Sequence, residues 1–230
     1  WQGRVSFIQA GPASLNSFSL RVDEAIQQID GEIICLMTGG LSGFSPGWLL
    51  PLLGQLSQSG VGAVAPRLLS ENGLVYTNGL VLLPGGRIEP LSRGKEASDN
   101  GYFGWSKISR GFSVLPGECL MFKREHYRSS GGFSHHLQTP MAAVADFCLK
   151  LQKTGCRNIL VPTVELILGK NNYYASKDWG LPDLREVQES VFPRWRDWFE
   201  QDPSFNPNLT VIDQGQITVN LSPHGNARAN

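Results

Sequence analysis

Apolar residues recur along this chain in two rhythms, and the change from one to the other marks its elements. Leu20, Val22, Ala25, Ile26 and Ile29 lie near helical spacing, which predicts a helix over Leu20–Ile29 that stops at Gly31. Glu32–Met37 is a continuous apolar run and predicts a strand buried on both faces of an α/β sheet. Val61–Pro66 predicts another strand, and Leu74–Leu83, closed by Pro84-Gly85-Gly86, one or two more. Met141–Thr154 returns to helical spacing, with Ala145, Cys148, Leu149 and Leu151 on one side and Gly155 as its stop. Asn158–Val161 predicts a short strand, and Leu184–Gln201 an amphipathic helix interrupted at Pro193. At the other end of the chain, Arg4–Gln9 predicts a strand before a Gly11-Pro12 break.

Polar and small residues punctuate these runs. Thr38-Gly39-Gly40-Leu41-Ser42-Gly43 predicts a loop. Ser45-Pro46 then supplies an N-cap and a first-turn proline for a helix to about Gln58. Leu91–Ser109 is polar and glycine-containing and predicts a long surface loop. Phe112–Phe122 is apolar with a Pro116-Gly117 interruption, and a short helix over Lys123–Ser129 leads to Gly131-Gly132. Strands alternating with helices give the fold class α/β: a mixed, mainly parallel, Rossmann-like sheet flanked by helices. No internal repeat is visible. The expected organisation is one domain over residues 1–209 and a C-terminal tail over 210–230, rich in Asn, Pro and Gly.

Composition narrows the function classes. The chain has 230 residues, 41% of them hydrophobic and 17% charged, and this length buries roughly 70–75% of the unfolded surface. Twenty basic residues balance twenty acidic ones, which argues against a nucleic-acid partner or an anionic membrane surface. No apolar run approaches the roughly 20 residues of a membrane span, and Trp1–Val5 lacks the apolar stretch of a signal peptide. The expected location is therefore cytoplasmic. Cys35, Cys119, Cys148 and Cys156 lie in apolar or periodic segments without a CxxC pair, which predicts free thiols. Asn208-Leu209-Thr210 and Asn220-Leu221-Ser222 fit the glycosylation pattern and, without a secretory signal, are read as chance matches.

A series of phrases, in order, resembles the family 2 glycosyltransferases of the bacterial polysaccharide and O-antigen type. Gly31-Glu32-Ile33-Ile34-Cys35-Leu36-Met37 and Ser45-Pro46-Gly47-Trp48-Leu49 look like the strand, acidic loop and helix at the centre of that fold. The strand and loop that follow are matched by Val61–Leu69 and Gly101-Tyr102-Phe103-Gly104. Gly131-Gly132-Phe133, Asp146–Leu151, Thr154–Arg157 and Pro162–Leu166 continue it, and Arg194-Trp195 and Asp202–Leu209 close it. The resemblance spans about Arg4 to Leu209 and implies a GT-A fold. It begins late: family members open with a strand and loop for the nucleotide base and ribose, and nothing here precedes Trp1. On this reading the chain carries the acceptor-side portion of the domain.

The resemblance also implies a chemistry. Transfer from a nucleotide sugar sends off two phosphates, whose charge a divalent manganese or magnesium ion held by carboxylates stabilises. In inverting members a carboxylate takes the acceptor proton. The family's acidic metal motif falls here on Thr38, Gly39 and Gly40, and no carboxylate lies between Glu32 and Glu71. Such a loop is either a metal-free diphosphate cradle of backbone N–H groups or, the reading preferred, a loop that lost its ligand. The family's base falls on Val144, and the histidine of its metal site on Leu168. Three losses at separated places, each between matching phrases, predict a chain without the usual transfer chemistry, and Gly40, Val144 and Leu168 are expected to converge on one cleft.

Other residues are candidates for binding or chemistry. Asp146 is the surviving carboxylate of the base motif, with anchoring of its helix as the bland reading; Glu118 lies where the family shapes its acceptor pocket. His135 and His136 could meet a metal or a sugar hydroxyl, although adjacent loop histidines diverge. Trp105, Tyr102, Phe103, Tyr173, Tyr174 and Trp179 fall in predicted loops, where aromatic rings either stack on sugars or pin loops to a core. Two functions stay open: a catalytically inactive glycosyltransferase-like domain, needing no cofactor and binding a glycan acceptor or another protein domain, or an active transferase whose donor half comes from elsewhere.

Overall fold

Residues 17–169, 181–212 and 215–219 are described by a computed structural model. The predicted strand at Arg4–Gln9, and Tyr173, Tyr174 and Trp179, lie outside the described residues.

The first helix, α1 (Phe18–Gln27), starts where Ser17 accepts a hydrogen bond from the Leu20 N–H, and buries Ile26. It leads to β1 (Ile33–Met37) and directly on to β2 (Leu41–Phe44), so the Thr38–Gly43 loop is shorter than expected. The next helix, α2 (Leu49–Leu56), begins four residues beyond the predicted cap, because Ser45 receives the Glu165 N–H at 3.3 Å instead of capping. Pro51 fits inside it because a first-turn residue has no helical N–H partner to lose.

The long central strand β3 (Val61–Ser70) is buried from Val61 to Leu69 and is followed by β4 (Val75–Thr77), β5 (Leu80–Leu83) and β6 (Arg87–Pro90). The loop after β6 carries a 3-10 turn at Tyr102–Gly104, then β7 (Arg110–Gly111), β8 (Cys119–Lys123) and the short α3 (Arg124–Ser129). Pro140 in the first turn, the alanine-rich start and Lys150 and Lys153 at the carbonyl end favour α4 (Pro140–Lys153). Gly155, at φ 87°, releases the chain into β9 (Arg157–Leu168), much longer than the strand predicted there. The predicted helix around Pro193 is three pieces: α5 (Leu181–Glu186), a π-helical turn at Val187–Val191, and α6 (Arg196–Glu200). The hairpin β10 (Leu209–Ile212) and β11 (Gln216–Val219) straddles the predicted start of the tail.

The main sheet runs β1-β8-β3-β9-β2, with β4 paired to β3 and β7 to β9. It is mixed and flanked by helices, as the alternation predicted, but its parallel share is smaller. Among the described residues only β3 and β9 pair in parallel; the β1–β8, β8–β3 and β9–β2 pairs are antiparallel. The physical reason is the order of insertion. β8 enters between β1 and β3 from a loop rather than from a crossover helix, so it runs against both neighbours.

One face of the sheet packs under α1, α4 and the Val187–Phe199 segment, with Phe122, Tyr127, Phe133 and Phe147 as an aromatic centre. The other packs under α2 through Leu52 and Leu56, which meet Val61, Val64 and Met121. Asp202 ties the C-terminal elements to the sheet by accepting the Leu82 N–H at 2.9 Å and the Ser113 hydroxyl. The strand predicted to be buried on both faces is half exposed. Ile33 and Met37 are 42% and 38% accessible, because β1 is an edge strand.

Candidate functional site

The Thr38–Gly40 segment bridges β1 and β2, and its backbone holds it between two other elements. The Thr38 N–H donates to the Glu118 carbonyl at 3.0 Å, and Gly40 accepts the Gly169 N–H at 2.8 Å. Leu41 pairs with Leu168 in the sheet, so Gly40 and the position of the family's histidine adjoin. Val144 reaches this place at one remove: a Cβ at Gly117 would stand 2.9 Å from its Cγ2, and Gly117 precedes Glu118. Val144 and Leu168 are each 1% accessible, and their side chains belong to the two different core clusters. Gly40 and Leu168 therefore adjoin, but Val144 packs in the core on the opposite face of the sheet from Leu168, so the three do not converge on one cleft as expected. The close fit has a measurable consequence. Gly117→Ala should cost roughly 1–2 kcal/mol by overpacking, and the Val144→Ala background should remove most of that cost. Additive losses in denaturant unfolding would show the two residues apart.

Glu118 is the acid that this junction contains. It is 6% accessible, and burial pushes its carboxyl up to about 7, against the opposing pull of its own backbone N–H and the Tyr76 side chain. Thr38 Oγ1 is buried beside it with no hydrogen-bond partner. A second acid approaches from outside: Glu71 Oε1 lies 3.4 Å from where a Cβ on Gly169 would be, at the Gly40 and Ser42 side. A third, Glu165 on β9, is neutralised by Arg67 on β3. Arg67 is 1% accessible and also donates to the Ala97 carbonyl at 2.8 Å and the Ser106 carbonyl at 3.4 Å.

Sequence reasoning missed Glu71, Tyr76 and the Arg67–Glu165 pair. One signal was readable: an arginine inside the apolar run Val61–Leu69 has to be buried with a partner.

The divalent ion that the resemblance implies does not fit these residues. Thr38, Gly39 and Gly40 offer no side-chain charge, Glu118 is buried, and the charge of Glu165 is already answered by Arg67, which leaves Glu71 at the Gly40 side. Among the described residues, no three His, Cys, Asp or Glu side chains gather as a ligand set.

The other predicted residues lie elsewhere. Asp146 sits in the middle of α4, 1% accessible, rather than at a helix start. It accepts from Trp195 Nε1 at 2.9 Å and Ser134 Oγ at 2.7 Å and pairs with Lys150 at 2.9 Å. Burial pushes its carboxyl up, but the Lys150, Ser134 and Trp195 hydrogen bonds outweigh that and hold it below its usual value. Its contacts are those of an anchor joining α4 to the C-terminal helices. His135 turns to α1, with Nε2 3.1 Å from Asp23 Oδ2, and His136 is exposed.

Trp105 is covered on one face by the Arg110 guanidinium, 3.6 Å from the ring centre, and meets Tyr102 at 5.2 Å. Burial lowers Arg110 to about 10, with Asp202 opposing. Trp105 therefore pins its loop. Phe103, 87% accessible at φ 47°, is the ring left to the solvent.

No family model matches the chain. Over 200 residues it is 28% identical to the uncharacterized protein y4gI of Sinorhizobium fredii (strain NBRC 101917 / NGR234), a match covering 85% of this chain and 22% of that protein. Over 191 residues it is 27% identical to the O-antigen biosynthesis protein RfbC of Myxococcus xanthus, covering 81% of this chain and 14% of RfbC. The chain thus spans less than a quarter of the length of either relative. Among solved structures, GalNAc-T7 with UDP, GalNAc and Mn2+ superposes with a TM-score of 0.53 at 14% identity, over 80% of this chain and 36% of that one. The mannosyltransferase PcManGT from Pyrobaculum calidifontis, in complex with GDP-Man and Mn2+, gives 0.44 at 18% identity, over 68% and 38%. No helix among the described residues is long and apolar enough to cross a membrane. The fold, a mixed sheet flanked by helices on both faces, is that of the GT-A glycosyltransferases.

Proposed function

We propose that this chain is a glycosyltransferase-like domain of glycan or polysaccharide biosynthesis that binds a glycan or a neighbouring domain without transferring sugar itself. The biological setting is supported by the likeness to RfbC, an O-antigen biosynthesis protein, and by the fold shared with sugar-transfer enzymes. The family 2 assignment rests on the ordered sequence phrases. Loss of chemistry is supported by the residue types at the junction of β1, β2, β8 and β9. The observation that carries the reading is the Thr38–Gly40 loop, which has no charged side chain and closes on the buried Glu118. At neutral pH Glu118 is partly protonated, and in that form it donates a hydrogen bond rather than binding a divalent ion. With the unpartnered Thr38 hydroxyl, it suits the uncharged hydroxyls of a sugar better than a diphosphate.

The test is thermal unfolding of the 230-residue chain with UDP or GDP, each with and without manganese or magnesium. A ligand at 100 times its Kd adds about 2.7 kcal/mol, which moves Tm by several degrees in a domain of this size. We expect no shift with any nucleotide. A metal-dependent shift of that size would overturn the reading in favour of a transferase completed from elsewhere. That second reading is favoured by one observation, the open edge of β1.

A further inference from the structure

Sulfur gathers at one place in this chain. In the antiparallel pairing of β1 with β8, Cys35 stands opposite Met121 and Met37 opposite Cys119. The Arg124 N–H donates to the Glu32 carbonyl at 2.8 Å and the Thr38 N–H to the Glu118 carbonyl at 3.0 Å, which marks Glu32–Arg124 and Thr38–Glu118 as hydrogen-bonded pairs. Alternation with period two then makes Cys35–Met121 and Met37–Cys119 non-hydrogen-bonded pairs, the closer kind, with Cα atoms about 4.5 Å apart. Residues two apart on a strand share a face, so the four side chains stand together on the α2 side of the sheet, where Cys119 and Met121 enter the core.

Two of the chain's three methionines and two of its four cysteines make up this corner. Across its diagonal, the Cys35 and Cys119 thiols are hydrogen-bonded to each other. Packing accounts for the inner pair, since Cys119 and Met121 are 0% and 1% accessible and sulfur side chains fill cores well. It does not account for the outer pair, because Cys35 is exposed and Met37 is 38% accessible on an edge strand. Two sulfurs thus lie beneath and two open to solvent, which gives an ion a way in.

We propose that Cys35, Met37, Cys119 and Met121 form a binding site for a soft monovalent metal ion, copper(I). Thiolate and thioether sulfur together select Cu(I). Zinc takes thiolate, imidazole and carboxylate ligands, and manganese and magnesium take oxygen; of these groups the four positions offer only the two thiols. Each cysteine gives up its proton as its sulfur binds the ion. Met37 precedes Thr38 and Cys119 follows Glu118, so the site borders the Thr38–Gly40 junction without sharing a residue with it. The inference stands apart from the glycan reading. Copper binding needs no sugar, and the hard ions used with nucleotides do not fill a sulfur site.

Copper(I) supplied as its bicinchoninate complex, under ascorbate and without oxygen, tests it on the 230-residue chain. The parent should withdraw one equivalent of the ion, seen as loss of the complex's colour. Cys35→Ser should weaken binding on the order of 100-fold, and Met37→Leu, which keeps the bulk, on the order of 10-fold. Both positions are exposed, and thermal unfolding without copper should place both variants close to the parent. Cys156→Ser removes a thiol outside the corner and should leave the uptake unchanged. No withdrawal by the parent would overturn the inference. So would Cys35→Ser or Met37→Leu binding as tightly as the parent, or a loss of the ion in Cys156→Ser.

Discussion

Replacing Asp146 by alanine should lower stability by about 3–5 kcal/mol, the usual cost of removing one partner of a buried, hydrogen-bonded charge pair. In a domain of this length that is a fall in Tm on the order of 10 °C. The reason is what the substitution leaves behind. Lys150 keeps its charge at an 11% accessible side chain, while Ser134 and the Trp195 indole lose their common acceptor. Asp146→Asn should cost less, because an amide oxygen still receives the indole N–H. The pH dependence is set by the lowered folded-state value of Asp146. A depressed acid stabilises the fold above its unfolded value, about 3.9, and that stabilisation is lost as pH falls through the lower folded value. Thermal unfolding of the alanine variant measures the effect. An unchanged or raised Tm would mark Asp146 as a group kept for chemistry at the expense of the fold, contrary to its anchoring contacts.

Glu118→Gln should act in the opposite direction. Burial raises this acid from 4.5 to about 7, so the folded chain binds its proton more tightly than the unfolded one. Its stabilising contribution is complete below about pH 4.5 and is lost as pH rises to about 7, an effect of roughly 3 kcal/mol. Glutamine keeps the neutral shape and removes the titration. The variant should match the parent near pH 4 and melt on the order of 5–10 °C higher at pH 8. A parent Tm that is level across this window, or a glutamine variant no more stable at pH 8, would show that Glu118 ionises freely. The neutral, sugar-directed reading of the cleft would then lose its support, because an ionised Glu118 could help to hold a cation.

These two acids separate what a sequence can say about chemistry from what it cannot. The residue types at Thr38–Gly40, Val144 and Leu168 were readable at once, since a side chain without charge or imidazole lacks it in any fold. Where the surviving acids point was not readable. Asp146 meets Trp195, 49 positions away, and that contact makes it an anchor. Burial raises the carboxyl of Glu118 against the pull of Tyr76, 42 positions away, and the Thr38 N–H is bonded to its carbonyl. Likewise, the phrase Asp202–Leu209 marked the resemblance, but only the structure shows Asp202 receiving Leu82 and Ser113 across the sheet.

By itself the sequence determined the α/β class, the helices α1 and α4, the central strand β3 and the absence of acids and imidazole at the family's metal and base positions. Each depends on local periodicity or on side-chain identity, and both are present in the chain before it folds. Tertiary structure decided the rest: the antiparallel insertion of β8, the exposure of β1, the Arg67–Glu165 pair and the burial of Glu118. Strand order and burial arise from contacts between segments far apart in sequence. An apolar run such as Ile33–Met37 reads the same at the centre of a sheet as at its open edge.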